Sequence, residues 1–74
     1  MVIIDIPSIS KKDTFIGDDS TTTFTLTNNN PVDIHIYISG LYLTEGEDYT
    51  ISGNQVTFID IPLAEENINI IYKV

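Results

Sequence analysis

With 74 residues there is room for one domain, and a chain this short buries only about 60–65% of its unfolded surface. It holds no cysteine and a single histidine, which excludes disulfides and leaves no donor set for a structural zinc. Eleven acids stand against Lys11, Lys12 and Lys73 with no arginine, a formal net charge of −8, which argues against direct nucleic-acid contact and attraction to anionic membranes.

Taken from the start, residues 2–6 (VIIDI) are β-branched and apolar on both faces except at Asp5, and Pro7 ends the run. They read either as a strand sandwiched in the core or as an arm laid on a neighbouring subunit's sheet, making Val2, Ile3, Ile4 and Ile6 candidate interface residues. The start lacks a basic lead, so it is not read as a targeting segment, and no run approaches the ~18 apolar residues of a membrane span. Residues 8–20 read as linker, with Phe15 and Ile16 as the only large apolar anchors and Asp18, Asp19 and Ser20 as turn formers. The expected division is an arm and linker over 1–12 and a domain over 13–74.

Residues 22–27 (TTFTLT) alternate cleanly, with Phe24 and Leu26 on one face and threonines on the other. Asn28, Asn29, Asn30 and Pro31 break that strand. In residues 34–39 (IHIYIS) the isoleucines point inward and His35 and Tyr37 outward, and Gly40 then allows a bulge or sharp bend. Over 41–59 the chain forms a short strand, an acidic turn and a tight hairpin closing on Gly53 and Asn54, a pair suited to the positive φ of primed turns. Residues 60–67 are too few for a self-supporting helix and read as a connector. The closing run 68–73 (INIIYK) puts Ile68, Ile70 and Tyr72 on one face and Ile71 on the other. Six or seven short strands without a sustained helical period define an all-β domain, a small antiparallel β-sandwich of immunoglobulin-like or jelly-roll-like type.

Groups for chemistry are sparse. His35 has Asp33 two positions away on the same expected face, but no nucleophile motif accompanies them, so the histidine reads as a surface or interface residue. Glu45, Glu47 and Asp48 crowd a glycine-containing turn, yet three acids fall short of the six to eight oxygens a calcium site takes, and the turn reads as solvated. Neither an enzyme nor a cofactor is expected. Tyr37, Tyr42 and Ile71, together with the N-terminal arm, supply more apolar surface than one inner face can take, and are expected to meet another subunit.

The run ISGLYLTEGEDYTISGNQVTFIDIPLAEENINIIYKV resembles a module common in tailed-bacteriophage virion proteins. Its phrases fall here at 38–43, at 46–58 (the G-x-D-Y-T-I-x-G-N-x-V-T-F core), at 62–64 and at 68–72, with TTFTL at 22–26 as the opening strand. The likeness covers about residues 13–74, and it implies a β-sandwich found in tail fibres, neck components and capsid decoration proteins. It brings no catalytic residues. It implies a virion localisation after synthesis in the host cytoplasm, other virion proteins as partners, and a homo-oligomer. In large phage proteins the module is one unit of a longer chain, whereas here it fills the sequence, which points to an accessory protein attached to a capsomer or fibre. The alternative expectation is a receptor- or glycan-binding module using loops 28–31 and 45–48.

Overall fold

A computed structural model describes residues 9–74. Seven strands form in chain order: β1 (Ser10–Ile16), β2 (Thr23–Thr25), β3 (Val32–Ile38), β4 (Leu41–Tyr42), β5 (Tyr49–Ser52), β6 (Gln55–Phe58) and β7 (Asn67–Lys73). They make two antiparallel sheets, a four-stranded one ordered β1-β7-β3-β4 and a three-stranded one ordered β2-β6-β5. Pairing β2-β6-β5 on one side and β3 with β7 on the other is the immunoglobulin-type arrangement, with β1 beside β7 where that fold has its last strand.

The alternating residues decide which faces meet. Ile36, Ile68, Ile70 and Tyr72 from the larger sheet pack on Phe24, Leu26, Tyr49, Val56 and Phe58 from the smaller sheet and its flanks. Each such fully buried side chain contributes about 1.5–3 kcal/mol over an exposed one. One aromatic pair joins the layers, Phe15 to Phe24 at 5.0 Å, and within the smaller sheet Phe24 meets Phe58 edge-on at 5.7 Å and Phe58 meets Tyr49 at 6.4 Å. Outside, the smaller sheet presents Thr23, Thr25, Thr50, Ser52, Gln55 and Thr57, an uncharged polar face on which the Thr23 and Thr57 hydroxyls lie 3.0 Å apart.

Two tight turns set the registers. In the β5–β6 hairpin Ser52 pairs with Gln55, and Gly53 has φ 61° while Asn54 keeps a negative φ. One positive φ at the first central position is the II′ turn. Asn54 has another task, for its side-chain Nδ2 donates to the Leu26 carbonyl at 3.1 Å while its backbone carbonyl accepts from the Leu26 N–H at 2.7 Å. The expected bend at Gly40 is a second two-residue hairpin, Ser39 (φ 50°) and Gly40 (φ 86°) between paired Ile38 and Leu41. Positive φ at both positions makes it type I′, so β4 folds straight back along β3.

Two expectations are corrected. Residues 8–20 are not a linker throughout, because Ser10 to Ile16 pair residue by residue with Lys73 to Asn67. Pairing thus begins inside the stretch expected as arm, at Ser10 rather than at 13. The second concerns β3, where Val32 pairs with Lys73 but His35 with Ile71, so three steps on β3 match two on β7. This bulge, with Asp33 at φ 51°, breaks the alternation that would have set Asp33 beside His35.

Candidate protein interface

On the outward face of the larger sheet the register lays the side chains in rows. Tyr42 of β4 sits opposite Tyr37 of β3, then Asn69 of β7 and Thr14 of β1. The next row runs His35, Ile71, Lys12, and the next Val32, Lys73, Ser10. The Tyr37 and Tyr42 rings are 5.4 Å apart, with His35 6.0 Å from Tyr42. Tyr42 is 51% exposed and Ile71 39%. Tyr37, Tyr42 and Ile71, singled out from the sequence, are therefore brought onto one face, and His35 joins them. Val2, Ile3, Ile4 and Ile6 lie outside the described residues.

This face has an unusual charge. Although acids outnumber lysines in the chain, its rows hold, among the described residues, Lys12, Lys73 and His35 and no carboxylate. Of the two acids in its strands, Asp33 sits in the bulge and Asp13 turns inward to the Tyr72 hydroxyl at 2.7 Å.

The carboxylates gather elsewhere. Loop 17–20 and connector 60–66 follow the same end of the larger sheet, where Ile16 pairs with Asn67, and they are tied together by Gly17 N–H to Glu66 carbonyl (2.9 Å), Glu65 N–H to Gly17 carbonyl (3.1 Å) and Asp19 N–H to Pro62 carbonyl (3.1 Å). The Ser39 N–H adds a bond to the Asn67 carbonyl at 2.8 Å, and the Ile59 N–H one to the Asp48 carbonyl at 2.9 Å. These joined loops hold Asp18, Asp19, Glu45, Glu47, Asp48, Asp60, Glu65 and Glu66, and not one lysine. Exposed Ile59, Ile61 and Leu63 stand among them. The opposite end carries Lys11, Lys12 and Lys73, and there the backbones of Ile9 and Val74 bond to each other.

Several acids serve to hold loops. Asp18 accepts from the N–H groups of Ser20 and Thr21 and the Thr21 hydroxyl; led by the Thr21 N–H, these hold its carboxyl below the usual value. Asp48 accepts from the Thr44 N–H at 2.8 Å, Glu66 from the Leu63 N–H at 3.1 Å, and Asp19 from the Ala64 N–H at 2.8 Å. The acidic turn read from the sequence is thus closed by its own Asp48. Loops 28–31 and 45–48 are not brought together. The first is bonded to the hairpin tip, Asn54 to Asn29 at 3.3 Å, and the second adjoins Tyr49 at the far end of β5.

No known family model matches the chain, nor does any curated protein or solved structure. Gly53 and Asn54 form the hairpin turn expected of them, and Asn54 adds bonds to Leu26 that the turn pattern does not signal. Asp13 and Gly17 are structural anchors absent from the sequence expectations: Gly17 shows only as a lone glycine ahead of two aspartates, and Asp13 depends on partners remote in sequence.

Proposed function

We propose that this chain is a non-enzymatic structural module of a tailed-phage virion, docked on capsid or tail through protein–protein contacts. The observation that carries the reading is the Tyr37–Tyr42–His35–Ile71 cluster on the outward face of the four-stranded sheet, with Tyr42, His35 and Ile71 exposed and Tyr37 half-buried between them. Tyrosines on a rigid strand face are what interface cores favour, since they cover much area at small entropic cost. The commitment of Asp13, Asp18, Asp19, Asp48 and Glu66 to hydrogen bonds that close loops further supports a scaffold role. The apolar run Val2, Ile3, Ile4 and Ile6, which precedes β1 in the sequence, would serve as an arm that adds a strand to a neighbour.

The test is binding to phage particles that lack the protein, read by cosedimentation and by electron microscopy of the particle. Deleting residues 1–7, or changing Tyr37 and Tyr42 to Ser, leaves a domain with unchanged circular dichroism that no longer binds. Binding at full-length affinity by both variants overturns the reading.

A further inference from the structure

The charge on this small sandwich is sorted by surface, and the two sorted surfaces are complementary. We propose that copies of this chain associate head to tail, the acidic loop end of one copy seated on the outward face of the larger sheet of the next. This rests on the reading of the chain as an assembling module and names the two surfaces that meet.

The first surface offers Tyr37, Tyr42 and Ile71 for apolar contact, with Lys12, Lys73 and His35 around them. The second offers Ile59, Ile61 and Leu63, exposed at 58%, 47% and 61%, among carboxylates with no lysine in the same loops. Apolar groups ringed by one sign of charge on each side, with opposite signs across the contact, give both the desolvated centre and the orientation that a specific interface needs. Two like faces pressed together would set lysine on lysine, so the two-fold arrangement is disfavoured. Two loop ends together would be worse. Only the heterologous pairing matches charge, and it leaves each pair with one unused surface of each kind, so it extends into a ring or a filament. The whole-molecule charge of −8 opposes association at long range, but that repulsion is screened beyond about 8 Å at physiological salt, while the contact pairs act within it.

The experiment uses the full chain alone in sedimentation equilibrium and light scattering. Wild type gives concentration-dependent species larger than a dimer. A face variant, Lys12→Gln with Lys73→Gln, is a monomer, whereas Thr25→Glu with Thr50→Glu on the outer face of the smaller sheet brings the same change of net charge and still assembles. A loop variant, Glu47→Lys with Asp60→Lys and Glu65→Lys, alters carboxylates that accept none of the loop hydrogen bonds and is also a monomer. Mixed together, the face variant and the loop variant form a one-to-one dimer that grows no further, because each retains one intact surface. A monomeric wild type, equal loss in the Thr25/Thr50 control, or no complex in the mixture overturns the proposal. Particle binding is read separately: a wild type that binds particles but stays monomeric refutes head-to-tail association and leaves the virion reading standing.

Discussion

The Tyr72 hydroxyl, at the end of a side chain that is otherwise fully buried, donates to the Asp13 carboxylate at 2.7 Å. The same carboxylate accepts from the Thr27 N–H at 3.0 Å and the Thr27 hydroxyl at 2.8 Å, and Asn28 Nδ2 donates to the Tyr72 oxygen at 3.0 Å. One acid thus joins β1, β7 and the loop that leaves β2.

Partial burial pushes the Asp13 carboxyl up, but the bonds from the Thr27 N–H, Tyr72 and the Thr27 hydroxyl outweigh it and hold the pKa below the ordinary 3.8. A depressed folded pKa means that the contribution to stability is complete above the unfolded value and is lost as pH falls through the folded one. Asp13→Asn should therefore cost about 1–2 kcal/mol at neutral pH, with the gap from wild type closing below pH 3.8. Urea melts across the acid range check this, and two parallel stability curves would refute it.

Tyr49 governs the alkaline side. Burial first, then Glu45, Tyr42 and Asp48, push its hydroxyl above the ordinary 10.0. A raised pKa contributes stability that is present below the unfolded value and fades as pH rises through the folded one. In a tyrosinate absorbance titration Tyr49→Phe should remove a step that lies above the ordinary tyrosine value.

Gly17 and Gly53 should fail for different reasons. A Cβ on Gly17 would lie 2.1 Å from the Leu63 carbonyl oxygen and 3.2 Å from the Pro62 carbonyl carbon, so Gly17→Ala must force loop 17–20 off the connector, costing about 2–3 kcal/mol. Around Gly53 there is open space, and only its φ of 61° resists a side chain. Gly53→Ala should cost about 1–2 kcal/mol by thermal melts. D-alanine there, introduced by chemical synthesis, should restore stability, because its mirror-image backbone prefers positive φ.

The strands whose apolar residues alternate were legible: Phe24 with Leu26, Ile36 with Ile38, Val56 with Phe58, and Ile68 with Ile70 each reported a buried face directly. The first strand was not. Its inward positions are Lys11, Asp13 and Phe15, and only the last is apolar, because β1 is an edge strand whose first half lies where the sandwich opens to solvent. Polar residues there read as linker until Tyr72, 59 positions away, supplies the partner for Asp13. The bulge at Asp33 was hidden for a similar reason, since a register shift belongs to a pair of strands and one strand's sequence does not encode it. Of the interface face, Tyr37, Tyr42 and Ile71 were legible from strand parity. The absence of carboxylates around them emerged only when Lys12 arrived from β1.

The order β1-β7-β3-β4 also bears on how the molecule comes into being. During synthesis β2, β5 and β6 are all available once Phe58 has emerged, so the smaller sheet can pair at that stage. The larger sheet cannot be completed, because β7 lies between β1 and β3, and before it is made β3 has only β4 beside it and β1 has no neighbour in that sheet. A nascent chain at that stage lacks the strand that pairs with both β1 and β3, and 67–73 enters between them last. Translation pauses or stop codons within that final stretch would yield a product lacking the middle of its main sheet rather than one with a frayed end.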